Sequence, residues 1–207
     1  MKRGRLIAVC GIDGSGKTTQ IDRLQAHLEG HGVPVITTRQ PTDRYRRDAL
    51  VRSALDLEVS FAKVGHELAL LSAFDRARHL REEVYPRIEQ GVSVITDRYV
   101  YSTYAYFMAR GVADLPWLMS INRAVPEPDA TFYLDVPPEI AVARVAARDG
   151  SAGKREELDV ARMSRVRDVF VSESWGTSER FHVIDATQSV DLVWDQVRSA
   201  ADLLEFP

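Results

Sequence analysis

The chain has 207 residues, 28% of them charged, and a formal net charge of −3. That length suits one α/β domain with a core of its own, and the near balance of charge gives no global basic field, so nucleic acid is not expected as a partner. A single cysteine excludes a disulfide or cysteine-metal framework within the chain, and no apolar run is long enough to span a bilayer, so no membrane partner is expected either.

The start, Met1-Lys2-Arg3-Gly4-Arg5 followed by apolar residues, has the outline of a secretory signal. The apolar run ends too soon and no cleavage site follows, so a reducing cytoplasm is the expected location. Leu6 to Cys10 reads as a buried strand, with Cys10 as a small hydrophobe rather than a reactive thiol. Gly11-Ile12-Asp13-Gly14-Ser15-Gly16-Lys17-Thr18 then fits G-x-x-x-x-G-K-[ST], and Gln20 to Glu29 reads as the helix that this pattern requires after its strand. Glycines let successive N–H groups converge on phosphate oxygens at a helix N-terminus. Lys17 can reach the terminal phosphates of a nucleoside triphosphate, and Thr18 can place its hydroxyl on magnesium.

Val33 to Thr38 supplies a second strand, ending at Arg39-Gln40-Pro41. Helix-favouring sequence follows with Arg44, Arg46, Arg47 and Arg52. Such a run is usually a solvated face, although it follows the strand end where ligands of open α/β sheets sit. Val64 to Val84 has helical apolar spacing, with Leu68, Leu71, Phe74 and Leu80 expected on one broad face. Val92 to Asp97 reads as a third strand ending in an acid. Tyr99 to Ala109 and Pro116 to Ala124 read as helices, Ala130 to Val136 as a fourth strand, and Pro137-Pro138 opens a helix to Arg148. A basic loop from Asp149 to Arg155, a helix from Glu156 to Val171, a strand Phe181 to Asp185 and a helix Val190 to Leu204 complete the order. Five strands alternating with helices predict a doubly wound parallel sheet with helices on both faces, as in P-loop nucleotide-binding proteins. The whole of 1–207 reads as one domain.

Phosphoryl transfer needs cations that neutralise spreading charge and groups that hold attacker and leaving group in line. Asp97 can hold magnesium, and Arg98 beside it can grip a phosphate bidentately. Asp135 also ends an apolar strand but has no adjoining arginine, so Asp97 is the expected metal ligand. The topology brings Arg39 and Arg76 to the same rim. A short lid at about 148–156, carrying Arg148 and Arg155, can close over the triphosphate and exclude water.

Gly11 to Thr19, Arg39 with Pro41, Asp75-Arg76-Ala77, Asp97-Arg98-Tyr99 and Leu134-Asp135-Val136-Pro137-Pro138 stand in the order and at the spacing found in thymidylate kinases. The match runs on through Val166-Arg167 and Ile184-Asp185-Ala186, so the chain resembles that family over nearly its whole length. The resemblance implies a kinase that moves the γ-phosphate of ATP to deoxythymidine monophosphate, using magnesium, in a homodimer joined through helices around 64–84 and 99–109. It places ATP on Gly11, Gly14, Ser15, Gly16, Lys17, Thr18 and Thr19, and metal on Thr18 and Asp97. Asp13 approaches the acceptor's sugar and phosphate; Arg39, Arg76 and Arg98 surround the acceptor, with Arg76 facing the base. Tyr106 lies beneath the deoxyribose. Because Ser15 stands where some members carry a basic loop residue, the catalytic arginine is expected from the lid, as Arg148 or Arg155, alongside Lys17 and Arg98.

Departures from the family pattern fall on base recognition. Ser72 replaces a phenylalanine that stacks on thymine, Phe107 replaces a common glutamine, and Thr103 sits where a polar group often reads the pyrimidine edge. Gln40 replaces the glutamate of Arg-Glu-Pro, and Thr42-Asp43-Arg44-Tyr45 replaces the usual glycines. Two alternatives follow: the same chemistry on another pyrimidine monophosphate, with a pocket opened at Ser72 for a larger 5-substituent, or a regulatory nucleotide-binding protein. For a kinase acting on deoxythymidine monophosphate, Phe74 is a candidate to replace the lost stacking ring.

Overall fold

Leu6–Cys10 is apolar at every position and forms β1, buried on both faces as only an interior strand with helices above and below can be. A computed structural model of the protein describes residues 3–56, 59–149, 159–172, 175 and 179–206. After β1 come α1 (Lys17–Gly30), β2 (Val35–Arg39), α2 (Asp43–Arg47), α3 (Ala49–Leu55) and α4 (Phe61–His79). A π-helical turn (Leu80–Val84), α5 (Tyr85–Glu89), β3 (Ser93–Asp97), α6 (Val100–Ala109) and α7 (Leu115–Ile121) follow. The remainder is β4 (Ala130–Asp135), α8 (Pro138–Asp149), α9 (Val160–Ser172), β5 (Phe181–Asp185) and α10 (Val190–Ala201). All strand pairs are parallel, in the order β2-β3-β1-β4-β5. The expected α/β architecture is thus the observed one. Among the described residues no helix is long and apolar enough to cross a membrane.

Local chemistry sets the element ends. The arginine-rich stretch is two helices rather than one, because Asp48 leaves helical geometry at ψ 137° and its carboxylate accepts from the Leu50 N–H at 2.9 Å, capping α3. The long helix expected over 64–84 begins at Phe61 and widens into a π turn at Leu80–Val84. Pro86 follows directly; it has no N–H to continue the i→i−4 ladder, and the widened turn absorbs the mismatch.

The buried stripe of α4 also differs from expectation. Gly65, Leu68, Ala69, Ser72, Ala73, Asp75, Arg76 and His79 face inward, whereas Phe74 is 63% exposed. Polar side chains with partners in the protein, not apolar spacing alone, decide which face turns in. Phe74 therefore does not replace a stacking ring over Ser72.

The parallel register aligns Val9 with Asp97 and Arg39 with Asp97. The loop after β1, the Asp97-Arg98 pair after β3 and the Arg39-Gln40-Pro41 segment after β2 therefore emerge side by side at the C-terminal edge of the sheet.

Candidate active site

The loop 11–16 curls between β1 and α1, and at Gly14 it lies against α8. The Gly14 φ is +85°, and a Cβ there would lie 2.2 Å from the Ala141 carbonyl oxygen of α8, so only glycine fits. Lys17 is 7% exposed. Its Nζ donates to the Ile12 and Gly11 carbonyls at 2.8 and 3.2 Å and lies 3.7 Å from Asp13 Oδ1. Burial, helped by the Arg98 charge and opposed by Asp13 and Asp97, lowers its pKa to about 8. Thr18 and Thr19 are exposed in the first turn of α1, and Ser15 is buried with no hydrogen-bond partner for its Oγ among the described residues.

Asp13, Arg98 and Tyr106 form one cluster over this loop. Arg98 donates to Gly11 O at 2.9 Å and to Asp13 Oδ1 at 2.5 Å, and its guanidinium lies 4.9 Å from the Tyr106 ring centroid. Tyr106 donates weakly to Asp13 Oδ2 at 3.5 Å. Burial disfavours the Arg98 charge, but Asp13, Tyr106 and Asp97 more than offset it, so its pKa is raised. The Arg98 backbone has φ 67°, a left-handed conformation that a side chain with Cβ rarely adopts. Two hydrogen bonds hold it: Arg98 N–H to Val9 O and Thr96 Oγ1 to Arg98 O, both at 2.9 Å. Strain stored beside a phosphate loop is a signature of a site rather than of packing.

The two candidate acids differ in commitment. Asp135 is gripped bidentately by Arg167 at 2.7 and 2.9 Å and accepts from Tyr133 at 3.1 Å. Asp97 has a buried Oδ1 with no hydrogen-bond partner among the described residues. An orphaned carboxylate oxygen next to the phosphate loop fits a hard cation such as magnesium, which takes one or two carboxylates plus phosphate oxygens and water. Among the described residues no group of three or more His, Cys, Asp or Glu side chains forms a self-sufficient metal cage.

A second cluster surrounds Arg76, which is 2% exposed. Its guanidinium donates to Gln40 Oε1 at 2.6 Å, to Thr103 Oγ1, and to Asn122 Oδ1 at 3.4 Å, with Tyr99 beneath it at 5.6 Å. All three acceptors are neutral. The adjacent Asp75 turns away, accepting from the Thr42 N–H and hydroxyl at 2.8 and 2.6 Å. Burial lowers the Arg76 pKa.

Other sequence-derived candidates sit differently. Arg39 is exposed at the rim and pairs with Asp43. Ser72 is 1% exposed on the inward face of α4, and its Oγ has no hydrogen-bond partner among the described residues. Phe107 is a core residue packed on Phe61, with ring centroids 5.4 Å apart. Arg148 lies exposed near the end of α8, while Arg155 and most of the 148–156 segment fall outside the described residues.

Sequence reasoning missed three groups. Arg46 alone of its arginine run is half-buried: its Nε donates to Pro41 O at 3.1 Å, and burial together with Arg98 and Arg39 lowers its pKa. Asn122 and His79 were the others. His79 ends α4 and Asn122 directly follows α7, and a polar residue at a helix end is also the pattern of an ordinary surface position.

Comparison with known proteins agrees with this geometry. The family model described as thymidylate kinase matches residues 9–197. The chain is 34% identical over 200 residues to a probable thymidylate kinase of Pyrococcus abyssi, covering 94% of both proteins. It is 41% identical over 152 residues to a probable thymidylate kinase of Pyrococcus horikoshii, covering 70% of this chain and 72% of that protein. A thymidylate kinase of Bifidobacterium longum subsp. infantis is 34% identical over 203 residues, 95% of this chain and 85% of the other. With the phosphate loop, the strained Asp97-Arg98 corner and the buried Arg76 all falling inside the matched span, the chain belongs to the thymidylate kinase family.

Proposed function

We propose that the protein transfers the γ-phosphate of ATP to deoxythymidine monophosphate, giving ADP and deoxythymidine diphosphate. The observation that carries this reading is the pairing of two arginine sites. Arg98 stands over the phosphate loop, where it can meet a transferring phosphoryl group, and Arg76 lies buried among neutral hydrogen-bond acceptors, where it can meet an electron-rich base edge. An acceptor that already bears phosphate suits this arginine-rich rim better than a free nucleoside, whose 5′-hydroxyl would need a carboxylate base.

In this reading Gly11, Gly14, Ser15, Gly16, Lys17, Thr18 and Thr19 bind the triphosphate. Lys17 exchanges its two carbonyl contacts for phosphate oxygens. Asp13 meets the acceptor's sugar and phosphate, and releases Arg98 toward the incoming charge. Arg39 and Arg46 add positive potential at the rim, Thr103 presents Arg76 to the base, and Tyr106 lies under the sugar. Ser72, on the same inward face of α4 as Arg76, and Phe107 on α6 are the remaining residues of this pocket. Thr18 and Asp97 are the residues that would hold magnesium, which when bound with ATP neutralises charge on the terminal phosphates. The lid at 148–156 would contribute Arg148 or Arg155 to the developing charge. A homodimer is part of the proposal. Leu70 and Phe74 on α4 are large apolar side chains left exposed, whereas α6 spends its apolar side chains within the chain, against the core. We place the enzyme in the cytoplasm, where both nucleotides are made.

The test is a coupled ADP-release assay with ATP and magnesium against thymidine, deoxyuridine, deoxycytidine and 5-substituted monophosphates. Preference for thymidine monophosphate is the expected result. Preference for a bulky 5-substituted acceptor would overturn the base assignment.

A further inference from the structure

The hydrogen bonds around Arg76 determine the protonation of a histidine that the reaction itself does not use. A guanidinium has donors only, so the end of the Gln40 amide 2.6 Å from Arg76 Nη1 must be its oxygen. The amide NH2 then points the other way, at His79 Nδ1, 2.9 Å distant. An amide nitrogen only donates, so Nδ1 must accept and carries no proton. The neutral ring therefore holds its proton on Nε2, where it donates to Thr38 Oγ1 at 2.9 Å, with Glu83 Oε2 3.5 Å away. Gln40, Arg76 and His79 are all buried, so the contacts between them are made within the protein. Starting from the cation, every proton in the chain is assigned.

This makes the Arg76–Gln40 contact and a charged His79 mutually exclusive. A proton on Nδ1 would oppose the Gln40 NH2 donor to donor. Turning the amide to relieve that clash would set NH2 against the guanidinium, again donor to donor. The groups facing the ring divide: Glu83 of the π turn and Asp75 of α4 favour its charge, while Arg76 of α4 and Arg44 of α2 oppose it. Burial is the strongest influence and also opposes it. His79 is thereby held neutral.

We propose that His79 is a positioning residue. Its neutral Nε2–H ring fixes the Gln40 amide, and the amide fixes the Arg76 guanidinium for the acceptor. This rests on the reading that Arg76 faces the acceptor base. The same chain of logic gives the Gln40 departure from the family's glutamate a role: a carboxylate there would neutralise Arg76 and demand a proton on Nδ1, so glutamine reverses the histidine tautomer and leaves the Arg76 charge for the ligand.

Long-range nitrogen–proton NMR on the ligand-free protein at pH 7.5 reads the tautomer directly. The expected spectrum has His79 protonated on Nε2 and bare on Nδ1, and in Gln40→Glu the Nδ1 gains a proton. A wild-type ring protonated on Nδ1 overturns the proposal without reference to any substrate. In steady-state kinetics, His79→Ala is expected to raise KM for thymidine monophosphate about tenfold, the scale of one charge-assisted contact, with kcat changed less than about twofold. The wild-type KM is expected to climb as pH falls below the ordinary histidine range, since burial lowers the ring's pKa, and that climb should vanish in Gln40→Glu. If the wild type turns over thymidine monophosphate normally but its KM responds neither to pH nor to the two variants, the positioning role fails and the acceptor reading stands. A wild type that does not use thymidine monophosphate removes the acceptor reading, and the positioning role with it.

Discussion

Arg98 carries opposing demands at a single position. Its side chain links the phosphate loop to Asp13, while its backbone sits at φ 67°. Arg98→Ala removes the guanidinium and keeps the strain; Arg98→Gly removes both. Both variants are expected to lose at least about a hundredfold in turnover, the scale of deleting one electrostatic stabiliser. In chemical denaturation the glycine variant should be the more stable of the two by roughly 1 kcal/mol, the cost of a Cβ in left-handed geometry. Equal stabilities would mean that the corner is unstrained. At this scale the sequence was most legible where chemistry is local. The phosphate-loop spacing located Lys17 and Thr18, and the Asp97-Arg98 pair announced itself by adjacency. His79 and Asn122 escaped because their partners, Gln40 and Arg76, stand 39 and 46 positions away, and no local pattern encodes that distance; Gln40 was legible only as a departure from the family's glutamate, without its partners.

Among the elements, β3 and β4 each end in an aspartate, and their different surroundings predict different behaviour. Asp97 keeps an orphaned oxygen, whereas Asp135 ties β4 to α9 through Arg167. Asp97→Asn should cost turnover heavily with little loss of stability. Asp135→Asn should cost roughly 1 kcal/mol of stability, as for a partly exposed bidentate pair, and spare most of the turnover. The reverse pattern would exchange the two assignments. The helix α4 shows why element existence was easier to read than element orientation. Its length followed from periodicity, but its inward face was chosen by Asp75, Arg76 and His79 finding buried partners, which turned Phe74 outward. If that exposed side chain joins two copies, Phe74→Asp should convert a dimer to a monomer in analytical ultracentrifugation; an unchanged sedimentation coefficient would place the dimer contact elsewhere or remove it.

At the scale of the whole molecule, the strand order β2-β3-β1-β4-β5, which alternation of strands and helices does not determine, brings three separate loops to one edge. The parallel sheet itself was readable from the chain, because βαβ units leave few alternatives. The charge balance within the site was not, since burial and pairing decide it only after folding. Burial keeps His79 and His182 below the ordinary histidine pKa. Below about pH 6.5 the unfolded chain takes up protons that these folded rings refuse, so stability falls as pH drops through that range. The melting temperature should therefore decline from pH 7 to pH 5.5, and a double His79→Gln, His182→Gln variant should flatten the decline. A steeper decline in that variant would assign the acid sensitivity to other groups.

The central claim is a transfer between two nucleotides at one site, and phosphorus NMR on a mixture of protein, magnesium, ATP and thymidine monophosphate follows it atom by atom. The account predicts that the γ-phosphate signal of ATP disappears in step with the appearance of equal amounts of ADP and thymidine diphosphate, with no inorganic phosphate. Release of inorganic phosphate alone, or no change in the spectrum while both nucleotides bind, would contradict it.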